Sequence, residues 1–554
     1  MANINNLFEE WCQNALADAD LKEELLAIKN DSAKINDAFF KELEFGTGGL
    51  RGKIGAGTNR MNVYTVARAT LGLANFISNT GSGEKKVAIG YDTRIKSKLF
   101  AETAAKVLSN KNITVFLFNR PLPTPTLSFA VRELGCNAGI MITASHNPAV
   151  YNGYKVYGAD GCQITTTAAD EIYHEISRLG YFESLPEQAG EKIHEVPEEV
   201  YEKFIASVTE LSLAENTDKT ISVVYTPLNG TGMEPVTDIL KRNGYQNIIV
   251  VNEQAEHDGN FPTCPFPNPE MPEAMALGLT YAKKHNAEIL LATDPDCDRV
   301  GVAVKQGNDY QLLTGNEVGI LLFDYICRRK TEMGTMPQNP LCVKTIVTTL
   351  LAEKIAANYG VEMVNVLTGF KFIGEKIGEL EQAGQKERYL FGFEESCGYL
   401  SGSHVRDKDG VNAALLICEM CGFYRSLGVS LAEKLAEIYN TYGYSLNSLL
   451  SFTFEGEVGM QKMKDFMVSM RRVGDSFGGF NLRNRTDYLA GVDGLPKSDV
   501  LAFELNDECS VIIRPSGTEP KLKFYLFANG ETKQIAKEKI QTLQQTVEGI
   551  VQAS

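Results

Sequence analysis

The stretch that decides the fold is AGIMITASHNP, residues 138–148, where an apolar run stops abruptly at polar residues. Residues 138–142 are apolar or glycine, and Ser145 and His146 follow soon after. A short apolar run bounded by turn residues is typical of a buried strand. Because open α/β sheets bind ligands beyond the carboxyl ends of their strands, the loop that holds Ser145 is a candidate site.

The same arrangement occurs twice more along the chain. AEILLATDPDCDR (residues 287–299) and YLFGFEESCGY (389–399) also lead an apolar strand into a polar loop. Each of the three stretches closes a unit that opens with another apolar strand, in KKVAIGYDTR, TISVVYTPLNGTG and PLCVKTIVTTLLAEKIA. Strands that alternate with longer amphipathic stretches predict three similar α/β units. Since the units share negligible sequence identity, the order of their elements is the support for a repeat.

The chain beyond about Leu450 has a different pattern. SVIIRPSGTEPKLKFYLFANG (510–530) predicts two strands joined by a loop, and a charged amphipathic helix follows from Glu531 to Ser554. A small α+β fourth domain is therefore expected, which fits a length of 554 residues. The expected domains are residues 1–213, 214–327, 328–450 and 451–554.

Composition narrows the classes of function. Hydrophobic residues make up 44% and charged residues 22%, as in an ordinary globular protein. A net charge of -16 argues against a nucleic-acid partner bound through a basic surface. We expect no membrane association, because no apolar run approaches the length of a span and the N-terminus lacks a secretory signal pattern. Eleven cysteines scattered through apolar segments predict reduced thiols and a cytoplasmic location.

The most specific motif is the acidic loop that contains Asp294, Asp296 and Asp298. Carboxylates this close repel one another, and oxygen ligands suit a hard ion such as Mg²⁺. A calcium EF-hand fails on spacing, because its required glycine and glutamate would fall on Arg299 and Lys305. A solvated acidic turn is the alternative interpretation.

A phosphate oxygen is a common further ligand of Mg²⁺, and this bears on Ser145. The G-x-S-x-G pattern of a serine hydrolase is missing. On an extended loop, neighbours point apart, so we expect His146 to be a poor base for Ser145. A serine that carries a phosphoryl group needs instead a cation and hydrogen-bond donors, which the acidic loop with its metal and Lys155 can supply.

Two further loops have phosphate-binding character. RPSGTEPK combines Arg514 with hydroxyls and a glycine, and FGTGGLRGKIGAGTNRMN combines glycines with Arg51 and Arg60. Neither matches a nucleotide-binding P-loop. The loop GFEESCG pairs carboxylates with a hydroxyl and suits sugar hydroxyls, although a surface turn is an equal alternative.

Together these loops resemble one family, the α-D-phosphohexomutases, which include phosphoglucomutase and phosphomannomutase. The signatures T-A-S-H-N-P, D-P-D-x-D-R, E-E-S and R-x-S-G-T occur in the family's order between about Glu44 and Tyr525. The stretch EFGTGGLRGKIGAGTNRMNVYTVARAT looks most like the phosphoglucomutase-2-like branch. The resemblance implies three α/β domains with mixed sheets and a fourth, TATA-binding-protein-like α+β domain around a central cleft. In chain order, the domains would carry a phosphoserine loop, a metal-binding loop, a sugar-recognition loop and a phosphate-binding loop.

The resemblance also implies an activity. A phosphosugar mutase would interconvert glucose 1-phosphate and glucose 6-phosphate through a phosphoserine and a bisphosphate sugar, with Mg²⁺ as cofactor and glucose 1,6-bisphosphate as activator. Phosphopentomutase and phosphomannomutase activities are alternatives within the family, and a metal-dependent sugar phosphatase or a non-catalytic sugar-phosphate sensor lies outside it. The expected partner is a small sugar phosphate, and the expected assembly is a monomer or weak homodimer.

The family's functional positions carry over as follows. The expected catalytic residues are Ser145, His146, Lys155, Arg51 and Lys371. The expected metal ligands are Ser145, Asp294, Asp296 and Asp298. The residues expected to bind substrate are Arg299, Thr368, Gly369, Glu394, Ser396, Lys408, Arg514, Ser516, Gly517 and Thr518. A general base is needed for the sugar hydroxyl, and Lys371 or Lys155 would require a depressed pKa to serve.

Overall fold

The computed structural model describes residues 2–46, 48–454, 456–477, 479–492, 494–506, 508–516 and 521–553. Helices in these ranges are α1 (Ala2–Asn14), α2 (Ala19–Ile28), α3 (Ser32–Phe39), α4 (Val63–Asn79), α5 (Ser97–Asn110), α6 (Thr124–Glu133), α7 (Thr166–Ile176), α8 (Glu198–Thr209), α9 (Met233–Arg242), α10 (Pro272–His285), α11 (Gly315–Glu332), α12 (Leu351–Tyr359), α13 (Phe370–Gln382), α14 (Gly410–Ser426), α15 (Leu431–Tyr442), α16 (Gly456–Met470) and α17 (Lys533–Gln552).

The strands in the same ranges form four sheets, one in each successive part of the chain. They are β1 (Gly49–Lys53), β2 (Lys86–Tyr91), β3 (Thr114–Leu117), β4 (Ala138–Ile142), β5 (Tyr151–Gly158), β6 (Ile193–Glu195), β7 (Val223–Thr226), β8 (Ile248–Val250), β9 (Ile289–Thr293), β10 (Val300–Gln306), β11 (Asp309–Leu313), β12 (Leu341–Thr345), β13 (Glu362–Val366), β14 (Tyr389–Glu394), β15 (Gly398–Ser401), β16 (Tyr444–Thr453), β17 (Ser476–Phe477), β18 (Phe480–Asp487), β19 (Leu501–Leu505), β20 (Cys509–Pro515) and β21 (Lys521–Gly530).

The first three units share one topology. In the first unit, β2 lies between β3 and β4, parallel to both, and β5 returns antiparallel beside β4. The second unit repeats this order with β7 between β8 and β9 and with β10 beside β9. The third repeats it with β12 between β13 and β14 and with β15 beside β14. The expected fold class, three similar α/β units with mixed sheets followed by an α+β unit, is confirmed.

The strands that lead into the polar loops lie at the centre of these units. Every residue of β4, β9 and β14 is buried. Strands covered on both faces are continuously apolar rather than alternating, which explains the runs that stand out in the sequence. The loops after these strands therefore begin from a rigid, buried position.

The fourth unit has a core of its own. Its antiparallel sheet packs one face against α16 and α17, and that core includes Phe466, Phe503, Phe524 and Leu543. The other face lies against the third unit, where Val347 packs with a second cluster. This interface cluster contains Val347, Val500, Ile512, Tyr525 and Phe527. Successive strand residues point to opposite faces, so one strand serves both clusters.

Two expected domain boundaries fall inside continuous elements. Residues 327 and 328 both lie in α11, whose start is fixed by a capping box between Thr314 and Glu317. Residues 450 and 451 both lie in β16, which pairs along its whole length with β21 of the fourth sheet. We therefore propose that the third unit begins before Gly315 and the fourth before Tyr444.

The N-terminal helices form a cap on the first unit. Trp11 is fully buried and lies edge-on to several rings, which belong to Phe39, Tyr64, Tyr181 and Phe182. Glu24 of α2 accepts a hydrogen bond from the backbone N–H of Ala56 at 2.8 Å. The cap thus contacts the glycine-rich loop that follows Arg51.

Within the described residues, no single helix has the length and apolarity to cross a membrane, and one bent pair, α14 with α15, meets those two criteria together. Cys418 and Cys421 are buried in α14. They belong to the hydrophobic core.

Candidate active site

The polar loops of the first three units meet at one place. Ser145 Oγ donates a hydrogen bond to Asp294 Oδ2 at 2.8 Å. The loops after β9 and β14 are joined by an antiparallel bridge between Arg299 and Gly398. The backbone N–H of Val300 donates to Cys397 O at 3.0 Å beside this bridge. Residues far apart in the chain are thus brought into one site.

Each of the three loops contains a residue in the left-handed backbone region. The φ angles are 51° at Ser145, 49° at Cys297 and 59° at Cys397. Such a conformation costs a non-glycine residue on the order of 1 kcal/mol, so surrounding contacts must maintain it. It turns the chain sharply between the buried strand and its antiparallel partner.

The turn at Ser145 corrects one expectation from the sequence. His146 was expected to point away from Ser145, but its Nδ1 lies 3.1 Å from Ser145 Oγ. The expectation was wrong because it assumed an extended loop, whereas Ser145 is left-handed. Burial, followed by the charges of Arg299 and Arg51, lowers the pKa of His146 well below its ordinary value. The imidazole beside Ser145 is therefore neutral at physiological pH.

The three aspartates form a compact buried cluster. Each offers a carboxylate oxygen, and these oxygens lie within 4.8 Å of one another. Asp294 Oδ1 accepts from the backbone N–H groups of Asp298 and Arg299 at 3.2 and 3.1 Å. Among the described residues, nothing hydrogen-bonds to Oδ1 of Asp296 or of Asp298. Burial and the charges of its two neighbours raise the pKa of Asp294 well above normal.

This donor set fits a metal ion. Hard divalent cations take carboxylate oxygens, and the two buried oxygens that accept no hydrogen bond are the kind of acceptor that such an ion satisfies. Like charges held together in a buried cluster also require a cation nearby. The cluster could therefore hold a metal ion, with Ser145 Oγ at its edge.

Two lysines lie against the cluster. Lys155 Nζ is 2.9 Å from Asp296 and 3.6 Å from Asp298. Lys408 Nζ is 3.2 Å from Asp298 and 2.9 Å from Asp407. Burial disfavours the charged form of both lysines, but the carboxylates outweigh it and raise the pKa of each. Both lysines are therefore cations in this arrangement, and Lys155 lacks the depressed pKa that a base requires.

Lys371 has the opposite electrostatic setting. It lies in the first turn of α13, and burial lowers its pKa, with the charge of Arg514 adding to the effect. Cys162 and Glu375 oppose the shift without reversing it. Of the two lysines expected as bases, Lys371 is the one whose environment favours the neutral amine.

Arg51 approaches the serine loop from β1. Its Nη1 donates to Asn147 Oδ1 at 3.1 Å, two residues beyond Ser145. Strand β1 pairs with β5, so Arg51 lies opposite Gly153 in the register. The pairing brings the N-terminal glycine-rich stretch to the serine loop.

The loop after β14 forms the opposite wall. Glu394 is 5% exposed, and Oε1 accepts from the backbone N–H of Gly369 at 2.9 Å. Gly369 has φ 120°, a backbone conformation that would be strained in a residue with a side chain. Within the part of the chain that the structure describes, the buried Thr368 Oγ1 has no hydrogen-bond partner. Glu394 and Thr368 thus present polar oxygens where a sugar could bind, with the half-buried Ser396 beside them.

The fourth unit contributes the end of β20. Arg514 and Ser516 are half-buried, and the backbone N–H of Ser516 donates to Lys521 O at 2.8 Å. Arg514 is near enough to Lys371 to influence its pKa, so the end of β20 lies close to α13. Gly517 and Thr518, which were expected to bind phosphate, lie outside the described residues.

Some residues of the site were not singled out from the sequence. Thr124, at the start of α6, donates to Asp296 Oδ2 at 2.9 Å. Tyr157 donates to Asp407 Oδ2 at 2.8 Å and so supports the neighbour of Lys408. Arg299 pairs with Glu270 at 2.6 Å. The contacts of Thr124 and Tyr157 join separate units, whereas Arg299 and Glu270 both belong to the second. No local motif indicates any of the three contacts.

Comparison with known proteins places this architecture in a family. Sequence models of the phosphoglucomutase/phosphomannomutase family match in chain order: alpha/beta/alpha domain I over residues 42–181, domain II over 200–307 and domain III over 314–442. The chain belongs to the phosphoglucomutase/phosphomannomutase family.

Individual relatives are similar over most of their length. A protein of Staphylococcus saprophyticus named phosphoglucomutase is 38% identical over 512 residues, covering 88% of this chain and 91% of the relative. One of Staphylococcus haemolyticus with the same name is 37% identical, covering 89% and 91%. The fold also matches two solved structures: the Paramecium pp63/parafusin phosphoglucomutase in an open form (TM-score 0.68, 17% identity, 92% and 96% covered) and a Burkholderia thailandensis family protein (TM-score 0.67, 18% identity, 91% and 97% covered).

Proposed function

We propose that this protein is a phosphosugar mutase that interconverts glucose 1-phosphate and glucose 6-phosphate through a phosphoserine at Ser145. The observation that carries the proposal is the hydrogen bond from Ser145 Oγ to Asp294, at the edge of the buried aspartate cluster. The staphylococcal relatives named phosphoglucomutase support glucose as the sugar. Phosphomannomutase and phosphopentomutase activities remain the alternatives to be tested.

Ser145 would carry the phosphoryl group between two positions of the sugar. It gives the group to the free hydroxyl of a sugar monophosphate, and the resulting bisphosphate returns its other phosphate to Ser145. Arg51, Lys155 and Lys408 would offset charge on the moving group, which their positions beside the serine loop and the aspartates support. Mg²⁺, held by Asp294, Asp296, Asp298 and the phosphoserine, would supply further neutralisation of the transferring phosphoryl group. Ser145 is 4% exposed, which limits attack of water on the phosphoserine.

Lys371 would take the proton of the attacking hydroxyl, because its lowered pKa favours the neutral amine. The neutral imidazole of His146 would orient Ser145 Oγ through their contact of 3.1 Å. Glu394, Ser396, Thr368 and Gly369 would hold the sugar hydroxyls. Arg299 would line the cleft between the metal and the sugar, and Arg514, Ser516, Gly517 and Thr518 would bind the phosphate that does not react.

The bisphosphate must reorient in the cleft between the two transfers, so that its other phosphate faces Ser145. Glucose 1,6-bisphosphate is accordingly the expected activator, because it can restore phosphate to Ser145 after loss. We propose a cytoplasmic enzyme that acts as a monomer or weak homodimer.

A substrate panel tests the proposal. The protein is incubated with Mg²⁺, a catalytic amount of glucose 1,6-bisphosphate and one sugar at a time. The sugars are the 1-phosphates of glucose, mannose, ribose and deoxyribose. We expect glucose 1-phosphate to be converted to glucose 6-phosphate, without release of inorganic phosphate. Stoichiometric phosphate release would identify a phosphatase, faster turnover of another sugar would reassign the substrate, and binding without turnover would identify a sensor.

A further inference from the structure

The turn that follows β2 holds a buried arginine directly behind the serine loop. Arg94 is 3% exposed, and its guanidinium lies beneath the backbone of residues 145–151. It is remote in sequence from the loop that it contacts. Neither the proposed transfer nor the expected site residues give it a role.

The guanidinium binds four carbonyl oxygens of this one loop. Nη1 donates to Pro148 O at 2.9 Å and to Tyr151 O at 3.1 Å. Nη2 donates to Ser145 O at 2.5 Å and also to Asn147 O. The planar fork of an arginine can bind several acceptors at once in fixed directions, which a lysine ammonium cannot do.

Arg94 is itself held from two sides. Its Nε lies 3.3 Å from Asp92 Oδ2, and Asp92 Oδ1 accepts from the backbone N–H of Arg94 and from Ser97 Oγ. The ring of Phe261, from the second unit, lies 5.0 Å from the guanidinium carbon. Gly259 of the same loop packs so closely on the turn that an added Cβ would lie 2.5 Å from Ile95 N. The second unit, which contains the aspartate cluster, therefore packs against the arginine whose guanidinium binds the serine loop.

We infer that Arg94 is a positioning residue that fixes the left-handed turn at Ser145 and so aligns Oγ with Asp294. The inference rests on the proposed function, in which Ser145 carries the phosphoryl group. A left-handed non-glycine residue persists only where its surroundings enforce it, and Arg94 binds the carbonyl of Ser145 itself. Phosphoryl transfer depends on the alignment of the reacting atoms. Loss of the hydrogen bonds from Arg94 to the serine loop therefore slows transfer more than it weakens substrate binding.

Arg68 provides a matched control. It is also a buried arginine of the first unit, 7% exposed, and its Nε donates to a carbonyl, that of Leu179, at 2.9 Å. It pairs with Glu42 at 2.9 Å and lies 4.5 Å from the ring of Tyr181. Arg68 thus makes the same kinds of contact as Arg94 without contacting the serine loop.

The experiment compares Arg94→Met and Arg94→Lys with Arg68→Met and Arg68→Lys. For each variant, kcat and KM for glucose 1-phosphate, the melting temperature, and hydrogen exchange of the peptide that spans 143–151 are measured. We expect kcat to fall about 100-fold in Arg94→Met, as for a misplacement of about 1 Å, with KM within about threefold of wild type. Arg94→Lys keeps the charge but loses the fork, so it should be intermediate, and both variants should exchange faster at 143–151.

The Arg68 variants should lose comparable melting temperature while keeping kcat and the exchange rate of that peptide. Equal kcat losses in the two series, or full activity in Arg94→Lys, would overturn the inference. If Arg94→Met does not fold, Arg94→Lys decides by the same criteria. Absence of mutase activity in the wild-type protein would instead refute the proposed function, and the exchange of 143–151 would still decide whether Arg94 holds the turn.

Discussion

At the scale of single residues, Ser145 combines burial with two close side-chain partners. Its Oγ lies 2.8 Å from the carboxylate of Asp294 and 3.1 Å from the imidazole of His146. Asp294 belongs to a buried cluster of carboxylates that suits a cation, so its carboxylate is a group that a metal ion would engage. The setting favours a serine that holds a charged group over one that attacks an uncharged carbonyl.

Replacing Ser145 with alanine tests this directly. We expect Ser145→Ala to lose turnover of glucose 1-phosphate by several orders of magnitude, because the phosphoryl carrier is gone. Its melting temperature should stay near that of wild type. Ser128→Ala is the control, because Ser128 is also buried in the first unit but lies away from the aspartates. Its Oγ donates a hydrogen bond to Gly161 O and accepts one from the backbone N–H of Arg406. A Ser145→Ala enzyme with near-normal kcat would remove the serine from the mechanism.

A pH profile tests the role of Lys371. A base must be neutral, so kcat should rise with pH through the pKa of Lys371, and the lowered pKa moves this rise to lower pH than an ordinary lysine would give. Lys371→Arg stays protonated, so the rise should vanish and kcat should fall by about 10²–10⁴. Lys376→Arg, further along α13 and paired with Glu379, should keep the wild-type profile. An unchanged profile in Lys371→Arg would assign the proton to another group.

At the scale of elements, the N-terminal cap and the glycine-rich loop depend on each other. Gly57 has φ 121°, and a Cβ added there would lie 2.5 Å from Ala38 O of α3's last turn. The backbone N–H of Asn59 donates to the same carbonyl at 3.0 Å. The loop that leads away from Arg51 is thus held by helices outside the family match, which begins at residue 42.

Alanine at Gly57 measures this contact. Gly83 is the matched control, since its φ is 112° and an added Cβ would meet nothing within 4 Å. Both substitutions strain the backbone, so the difference between them reports the clash with α3. We expect Gly57→Ala to be less stable than Gly83→Ala by about 1–3 kcal/mol in urea unfolding. Equal losses of unfolding free energy would show that α3 moves away from the added Cβ at no measurable cost.

Much of this element plan follows from the sequence, and the exceptions have physical causes. The apolar runs at 138–142 and 289–293 predict buried strands. These runs are continuously apolar because helices cover both faces of the sheet. The turn at Ser145 could not be predicted, since serine has no general preference for positive φ and Arg94 enforces it from a distant segment. Thr124 and Tyr157 join the site only through contacts between units, which leave no local pattern.

At the scale of the whole molecule, side-chain contacts at the aspartate cluster tie the first three units together. A chain of contacts runs from Tyr157 through Asp407 and Lys408 to Asp298, and so joins all three. The fourth unit has a separate core and meets the third through the cluster around Val347. Metal binding at the aspartates should therefore stabilise one part of the molecule and not the other.

Calorimetry with and without Mg²⁺ tests that division. We expect two unfolding transitions, of which only the larger moves to higher temperature with Mg²⁺. At 100 times the dissociation constant the added stability is about 2.7 kcal/mol. Potassium chloride at equal ionic strength is the control, and Asp296→Asn should reduce the shift. A single transition that moves as a whole would contradict the independence of the fourth unit.

The left-handed residue that recurs at Ser145, Cys297 and Cys397 separates backbone shape from chemical task. One hairpin bend presents a nucleophile in the first unit, carboxylates in the second and a polar wall in the third, although most residues at these tips differ. A protein engineer could accordingly transplant tip residues from one bend to another and keep the scaffold.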